Sequence, residues 1–442
     1  MTKKLMVIGL DAAPPVLVFD NFRSDMPFLS RIMEEGAYCE LESCIPPITS
    51  PAWMCMMTGK DPGTLGVYGF RNRKDYSYNN LEIATSVSIK EPTVWDMLSA
   101  AGKKVILIGV PQTYPPKRVN GLLVSCFLAP DTNSDYTYPT ELKEEIKQVV
   151  GNYILDVNGF RAEDKNSIIR QVYEMTEKRF QLARHLINEK EWDFFMTVEM
   201  GPDRLHHALW KFSDPCHPKF HPETPYKDSL RDYYSFLDEK IAELCVDAGD
   251  ETAVMVVSDH GAKRMEGGFC INEWLIREGY LKLNSKPDGI VKLQNTAVDW
   301  ERTVAWGEGG YYGRIFLNIR GREPRGFIER ADYEKTRGEI AGKLEALSDD
   351  NEKFHGTSVY RPEDIYRTVN GIAPDLIVLF GDLFWRSVGT IGHGKILTRE
   401  NDTGPDDANH DRQGIFIMKD MSLKKRGRIE RMNIIDCAPV IL

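Results

Sequence analysis

The sequence predicts an α/β fold with a mostly parallel central sheet between helix layers. Two observations lead to this prediction: short, continuous apolar runs recur along the chain, and segments with helical periodicity separate them. Runs without polar alternation are typical of strands that are covered on both faces. Strands that alternate with helices are joined by right-handed crossovers, which places the strands parallel in one sheet.

The predicted elements follow one another along nearly the whole chain. The apolar runs predict strands at residues 5–10, 105–110, 122–128, 194–198, 253–257, 315–319, 376–380 and 414–418. Helical patterns cover residues 15–35, 51–58, 93–101, 140–150, 163–190, 226–248, 332–347 and 433–442.

The domain organisation is predicted to be a single catalytic domain over residues 1–442. Two ranges, 129–190 and 282–332, break the strand–helix rhythm, and we interpret them as small cap insertions over a site. Residues 382–413 form a further irregular stretch that is rich in Gly, Asp and Asn and contains two His. Because long ordered loops are often functional, this stretch is a candidate to carry site residues.

Composition and charge exclude several classes of protein. The 442 residues carry a formal net charge of −10, which argues against a nucleic-acid binder with a basic stripe. The eight cysteines are scattered and include no CxxC pair, so neither a zinc ribbon nor a redox motif is indicated. The apolar run at 5–10 is too short for a signal peptide, and no stretch reaches the roughly 20 apolar residues of a membrane helix. We therefore expect a cytoplasmic protein without a membrane partner.

Asp and His residues follow three of the predicted strands. Asp11 ends the first strand, Asp203 and His207 follow the fourth, and Asp259 and His260 follow the fifth. Ligands of open α/β sheets bind beyond the carboxyl ends of the strands, so these side chains are expected at one rim. A helical turn places Asp203 and His207 on one face, whereas Asp259 and His260 point apart on an extended segment. Each motif alone is typical of a cap, a turn or a surface pair, but together they predict two neighbouring Zn²⁺ or Mn²⁺ ions.

A hydroxyl group precedes the second predicted helix. In Thr49-Ser50-Pro51, Pro51 suits the first helical position, and a Ser or Thr before it suits the N-cap. Such a residue either caps the helix or presents a hydroxyl at the positive helix end, where phosphate also binds. A metal ion at that position would lower the pKa of the hydroxyl and make it a nucleophile.

Taken together, the motifs resemble the alkaline phosphatase superfamily and, within it, type I phosphodiesterase/nucleotide pyrophosphatase-like phosphohydrolases. No single motif is specific, but they occur in the family's order from residue 5 to the C-terminus. The matching motifs are Gly9-Leu10-Asp11, Thr49-Ser50-Pro51, Thr58-Gly59 with Pro62 and Gly66, Asp203-x-x-x-His207, Ser258-Asp259-His260-Gly261, Asn409-His410 before Gly-Ile-Phe-Ile, and Ile434-Ile435-Asp436-Cys437-Ala438-Pro439.

The resemblance implies a three-layer alkaline-phosphatase-like fold and a role for each site residue. Thr49 would be the nucleophile, with Ser50 the weaker candidate. One divalent ion would be held by Asp203, His207 and His410, with His393 as the rival for His410. The other would be held by Asp11, Asp259 and His260, with Thr49 touching it. Zinc is the favoured metal and manganese the alternative. The implied activity is cleavage of a small phosphodiester or phosphomonoester through a threonine phospho-enzyme.

One position departs from the family pattern. Nucleotide pyrophosphatases carry an Asn about twenty residues after the nucleophile, where it holds a phosphate oxygen, and Phe70 stands at that place here. Candidates to bind phosphate oxygens instead are Arg71, Asn72, Lys263 and Arg264, although surface charge is the ordinary explanation for each. The departure puts specificity for nucleotide diesters in question.

Three other functions are compared with the hydrolase. A phosphomutase like the cofactor-independent phosphoglycerate mutases would need a large inserted domain, and 129–190 and 282–332 are small for that. A sulfatase would carry an Arg where this chain has Trp53. A non-catalytic relative that binds a phosphorylated ligand is disfavoured because all six metal-ligand positions and the hydroxyl are retained. The sequence does not indicate an oligomeric state.

Overall fold

The computed structural model describes residues 4–347 and 356–442. Its strands are β1 Leu5–Leu10, β2 Ala37–Glu42, β3 Arg71–Arg73, β4 Leu81–Ile83, β5 Val105–Ile108, β6 Gly121–Val124, β7 Thr137–Tyr138, β8 Phe194–Glu199, β9 Ala253–Val257, β10 Gly261–Arg264, β11 Gly267–Cys270, β12 Ala305–Glu308, β13 Gly313–Leu317, β14 Ser358–Tyr360, β15 Leu376–Leu379, β16 Trp385–Val388, β17 Leu397–Thr398, β18 Ala408–Asp411, β19 Gln413–Lys419, β20 Gly427–Arg428 and β21 Met432–Asn433.

The α-helices connect these strands. They are α1 Pro27–Glu35, α2 Thr49–Thr58, α3 Pro62–Leu65, α4 Val94–Ala100, α5 Leu142–Val150, α6 Lys165–Glu189, α7 Gly201–Ser213, α8 Ser229–Ala248, α9 Ile271–Arg277, α10 Tyr333–Glu345, α11 Pro362–Ile365 and α12 Cys437–Ile441. None of the helices in the described ranges combines the length and the apolar character that a membrane span requires.

The central sheet is mostly parallel, as the sequence predicts. Its order is β20-β2-β19-β9-β1-β8-β5-β6-β7, and β21 also pairs with β2. The strands from β9 to β6 in this order are mutually parallel, whereas β19 and β7 run antiparallel to their neighbours. Every residue of β5, β8 and β9 is buried, which agrees with cover on both faces.

Helices cover both faces of this sheet. Neighbouring residues of β8 point to opposite faces: Glu199 meets Arg179 of α6, while Val198 lies on the same side as Trp53 of α2. Helices α6, α7 and α8 pack together on the first side, and α2 packs with α12 on the other. A methyl group on Gly9 of β1 would lie only 2.4 Å from the Trp53 ring, so glycine at this position allows α2 to approach the sheet.

Two predicted strands lie in a different sheet. The runs at 315–319 and 376–380 correspond to β13 and β15, which belong to a four-stranded antiparallel sheet of order β12-β13-β15-β14. This sheet packs in a second hydrophobic core around Phe269, Trp274 and Trp306. The predicted assignment to the parallel sheet was wrong for these runs because burial on both faces does not reveal a strand's direction or partner.

Two predicted helices are interrupted. The range 15–35 divides into a π-helical turn at Val16–Asn21, a 3-10 turn at Arg23–Asp25 and α1, which begins at Pro27. Proline has no N–H to continue the preceding turn but suits the first position of a new helix. The range 433–442 divides similarly into a 3-10 turn at Ile434–Asp436 and α12.

The two predicted cap insertions contain regular structure. Residues 129–190 include α5 and α6, and α6 belongs to the helix layer of the central sheet. Residues 282–332 include β12 and β13 of the second sheet. The predicted single domain of 1–442 also includes 1–3 and 348–355, which lie outside the described residues. The domain boundaries therefore stay a prediction.

Candidate metal centre

Six Asp and His side chains converge beyond the carboxyl ends of the central parallel strands. Asp11 follows β1, Asp259 and His260 follow β9, and Asp203 and His207 lie in the first turns of α7, directly after β8. The sixth residue, His410, lies in β18, which pairs with the β10 strand that continues from His260. The parallel arrangement of β8, β1 and β9 therefore brings together three sequence-distant motifs at one rim, as the strand pattern predicts.

The six side chains form two sets with metal-ligand spacing. The ligand atoms of Asp203, His207 and His410, the first set, lie within 4.8 Å of one another, and so do those of Asp11, Asp259 and His260, the second set. In the first set, Asp203 Oδ1 is 3.2 Å from His207 Nε2 and 3.7 Å from His410 Nε2. In the second, Asp259 Oδ2 is 3.1 Å from His260 Nε2. All six side chains are buried.

Each of the three imidazole rings is oriented by an acceptor at Nδ1. His207 Nδ1 lies 2.7 Å from Asp406 Oδ1, His260 Nδ1 lies 2.9 Å from the Gly261 carbonyl, and His410 Nδ1 lies 3.0 Å from the Pro47 carbonyl. An acceptor at this position holds the ring proton on Nδ1, which leaves the lone pair of Nε2 for a ligand. The three Nε2 atoms all face the two sets.

The donor set fits divalent cations. Among residues 4–347 and 356–442, His410 Nε2 and Asp259 Oδ2 are buried without a hydrogen-bond partner. An unpaired buried polar atom is costly, and a cation in each set would compensate it. Carboxylate oxygens and imidazole nitrogens, three protein ligands to each ion, match the ligand preferences of zinc and manganese. The chain thus has two candidate metal sites.

The pKa values reflect the crowding of buried charges. Burial raises the pKa of Asp11, and the Asp259 and Asp203 carboxylates raise it further. Burial likewise raises the pKa of Asp259 and lowers those of His260 and His410. Burial also opposes a charge on His207, but the Asp406 and Asp203 carboxylates outweigh it and raise its pKa to about 9. The protein alone therefore holds more negative charge at this rim than burial favours.

Thr49 lies beside the second set. Its hydroxyl oxygen is 3.3 Å from His260 Nε2 and 3.5 Å from Asp11 Oδ1, and the residue is only 3% exposed. No side chain caps helix α2, so neither the Thr49 nor the Ser50 hydroxyl forms a capping hydrogen bond there. Ser50 adopts a non-helical conformation, and its buried hydroxyl oxygen has no hydrogen-bond partner within the described ranges.

Comparison with known proteins identifies the family. Residues 5–406 match the family model described as type I phosphodiesterase / nucleotide pyrophosphatase. The chain belongs to this family. None of the curated proteins matches the sequence.

Solved structures related to this phosphodiesterase family member share its fold at low identity. Human ectonucleotide pyrophosphatase / phosphodiesterase 5 is 13% identical with a TM-score of 0.56, over 99% of this chain and 94% of its own. Phosphonoacetate hydrolase from Sinorhizobium meliloti 1021, in complex with phosphonoformate, is 14% identical with a TM-score of 0.64, over 100% and 95%. These likenesses show an alkaline-phosphatase-like α/β fold for this chain.

The four predicted phosphate-binding residues lie outside the two sets. Arg71 is exposed, and Asn72 accepts a hydrogen bond from the Tyr68 N–H and donates one to the Gly69 carbonyl. Lys263 pairs with Asp382 and Asp411, and Arg264 pairs with Glu266. Within the described residues, none of these four side chains forms a hydrogen bond or an ion pair with a residue of either set. Their role in phosphate binding stays a prediction.

Several residues around the first set were missed by the sequence reasoning. Asp406 bonds to His207, and the Tyr311 ring stacks on His207 at 4.8 Å and on His410 at 4.2 Å between centroids. Arg161 donates a hydrogen bond to Asp406, and Arg204 donates one to Asp203. No motif marks these residues, because their contacts depend on how distant loops meet. The rival His393 instead lies 2.8 Å from the Thr390 hydroxyl, in another part of the loop.

Proposed function

We propose that this family member is a two-metal phosphohydrolase that cleaves a small phosphodiester or phosphomonoester with Thr49 as the nucleophile. The main observation that supports this proposal is the position of the Thr49 hydroxyl at the start of α2. It is buried and lies within 3.5 Å of both Asp11 and His260. A further similar structure supports the choice of residue type. It is murine ectonucleotide pyrophosphatase / phosphodiesterase 5 as an inactive threonine-to-alanine variant, in complex with AMP.

Asp203, His207 and His410 would hold one cation, and Asp11, Asp259 and His260 the other. When bound, divalent cations at these positions would neutralise phosphoryl charge, lower the pKa of the Thr49 hydroxyl and stabilise the leaving oxygen. Zinc is the favoured metal because both sets mix carboxylate and imidazole ligands, and manganese is the alternative.

The protein's own residues prepare Thr49 for attack. Trp53, one turn further along α2, donates a 2.8 Å hydrogen bond to Asp11 Oδ2 and so fixes the carboxylate beside the hydroxyl. The regular turns of α2 begin at Pro51, after the non-helical Ser50, so the positive end of the helix dipole would face a phosphoryl group bound at Thr49. Burial of the site excludes bulk water, which strengthens each electrostatic contact there.

The reaction would proceed in two displacements at phosphorus. The Thr49 oxygen forms a bond to phosphorus as the ester oxygen leaves with the alcohol product, giving a phosphothreonine. Water then attacks the same phosphorus, the Thr49 oxygen leaves and takes up a proton, and the second product, the phosphate, is released. This division of one hydrolysis into two steps is typical of nucleophilic catalysis.

The test compares Thr49→Ala with Ser50→Ala in zinc-loaded protein, using p-nitrophenyl phosphate and bis(p-nitrophenyl) phosphate. Thr49→Ala should lower kcat by about 10³-fold or more, as expected for loss of a nucleophile. Ser50→Ala should retain most of the turnover, since its hydroxyl bonds to neither metal set. Unchanged turnover in Thr49→Ala would refute the role of Thr49 as nucleophile. The ratio of kcat/KM for the two substrates decides whether the enzyme prefers a diester or a monoester. No turnover of either substrate or of a nucleotide panel by the wild type would count against the hydrolase itself.

A further inference from the structure

The connection between α5 and α6, residues 151–164, contacts the surroundings of the first metal set through two charged side chains. Asp156 holds Arg204 with two hydrogen bonds, 2.9 Å from Nε and 2.8 Å from Nη2. The third guanidinium nitrogen of Arg204 donates to Asp203 Oδ2, a ligand of the first set. Arg161 donates from Nε to Asp406 Oδ2 at 2.9 Å, and Asp406 Oδ1 in turn holds His207.

Aromatic rings strengthen this contact. The Phe160 ring lies 5.9 Å from the His207 ring and 4.6 Å from the Arg204 guanidinium. Arg161 also donates to the Tyr311 hydroxyl, and the Tyr311 ring stacks on both His207 and His410. All three ligands of the first set are therefore braced, through one intermediate residue or by direct contact, by this single connection.

The residues of the second set are held in place by other partners. Asp11 is held by Trp53 of α2, Asp259 Oδ1 accepts from the Ala12 N–H, and His260 is oriented by the Gly261 carbonyl next to it. Trp53 lies in α2, Ala12 follows β1 and Gly261 begins β10, so none of these partners belongs to the α5–α6 connection. Within the described residues, no side-chain hydrogen bond joins residues 151–164 to the second set.

We propose that the α5–α6 connection completes the first metal site, with Asp156 and Arg161 as positioning residues, whereas the second site is held without it. The inference rests on the proposed two-metal function. Outer partners of metal ligands fix ligand orientation, and losing one typically costs about 10–100-fold in metal affinity.

The charges give each positioning residue a distinct effect. Without Asp156, the Arg204 guanidinium would be free to pair fully with Asp203, which removes negative charge that the cation needs. Without Arg161, the Asp406 carboxylate and the Tyr311 hydroxyl each lose a cationic hydrogen-bond donor. The carboxylate that orients His207 and the ring that stacks on His207 and His410 are then held less firmly. Arg161 is partly exposed, with 26% of its side chain accessible, so its replacement should not prevent folding.

The experiment is calorimetric titration of metal-stripped protein with Zn²⁺ alone. Wild type should bind two equivalents, and Asp156→Asn and Arg161→Ala should each weaken one of them by about 10–100-fold. The matched controls are Glu163→Gln, an exposed acid of the same connection, and Arg170→Ala, an exposed arginine of α6. Both controls should titrate like wild type, and circular dichroism checks the fold of every variant.

The same titration in two further variants shows which of the two metal sites is weakened. In Asp259→Asn, which disables the second set, Arg161→Ala should weaken the remaining Zn²⁺ by about 10–100-fold. In His207→Ala, which disables the first set, Arg161→Ala should change nothing. Equal effects in both backgrounds, unchanged affinity in both positioning variants, or fewer than two equivalents in wild type would overturn the inference. If two ions bind but no ester is cleaved, the proposed hydrolase function fails. The titration still decides whether the α5–α6 connection completes the first metal site.

Discussion

Trp53 connects the helix of Thr49, the proposed nucleophile, to Asp11, a proposed metal ligand. It is fully buried, and its indole N–H donates to Asp11 Oδ2 at 2.8 Å. This contact opposes the effect of burial, because it lowers the pKa of Asp11 whereas burial raises it. The indole thus orients the Asp11 carboxylate and favours its charged form, although burial and the neighbouring carboxylates still raise the pKa of Asp11.

Replacement of Trp53 by Phe should therefore weaken the second site selectively. The aromatic volume is largely kept, but Asp11 loses a buried hydrogen bond, and we expect zinc affinity and kcat to fall by about 10–100-fold. Zinc titration and steady-state kinetics measure the two effects. Trp95→Phe is the control, because Trp95 is also buried and no hydrogen bond of its indole occurs within the described residues. Equal losses in both variants would show a packing effect instead.

For individual residues, the sequence indicates the candidate metal ligands better than the neighbouring side chains that orient them. Asp11, Asp203, His207, Asp259 and His260 follow from strand ends, because a parallel sheet brings its carboxyl ends together. His410 came only from the family resemblance, since it lies in an antiparallel strand after a long loop. Asp406 and Arg161 could not be predicted, because their contacts join residues 245 positions apart.

The contact between α2 and β1 depends on a glycine, Gly9, which leaves room for the Trp53 ring. Gly9 lies two residues before Asp11, and a methyl group there would be 2.4 Å from Trp53 and 2.8 Å from Val198. The Trp53 ring and the β8 strand are both fixed in the core, so neither can move away cheaply. The same close contact brings Thr49 to the second metal set.

Gly9→Ala should destabilise the protein by about 1–3 kcal/mol through overpacking and should also lower activity by displacing α2. The matched comparison is Gly342→Ala in helix α10, where an added methyl group meets nothing within 4 Å. That change should stabilise the fold by up to about 1 kcal/mol, because alanine is the better helix former. Urea unfolding measures both free energies, and a neutral Gly9→Ala would contradict the packing argument.

The strand predictions show which properties of a strand can be inferred from the sequence. The run at 253–257 coincides with β9, and the run at 194–198 is extended only by Glu199 in β8. In contrast, β2 has alternating rather than continuous burial, so the search for continuous apolar runs passed over it. The sequence pattern specifies burial well, but neither strand direction nor sheet membership, which is why β13 and β15 were misplaced.

Across the whole molecule, the candidate metal centre lies at the carboxyl ends of the central parallel strands. Asp11, Asp259 and His260 follow these strands directly, helix α7 supplies Asp203 and His207, and β18 supplies His410. The resemblance from residue 5 to the C-terminus led to this set of residues because it compares the whole order of motifs rather than one local pattern. The structure brings the same six side chains together in two groups of three.

Removal of metal should destabilise the molecule in a pH-dependent way. The folded-state pKa of His207 is raised to about 9 from an ordinary 6.5, so its stabilising charge is fully present below pH 6.5 and is lost as pH rises to 9. The raised pKa values of Asp11 and Asp259 act in the same direction, because ionisation of these buried acids is disfavoured in the fold. Metal-free protein should therefore become less stable between pH 6.5 and 9.

Urea unfolding with a chelator, compared with zinc-loaded protein, measures this dependence. Zinc at about 100 times its Kd should add about 2.7 kcal/mol per site. It should also reduce the loss of stability with pH, because the cations compensate the carboxylate charge and bind better as protons leave the ligands. Asp406→Asn removes the charge that raises the pKa of His207, so in that variant the metal-free protein should lose less stability from pH 6.5 to 9. An unchanged pH slope in Asp406→Asn would mean that His207 does not titrate in this range, and the pairing with Asp406 would then not control its charge.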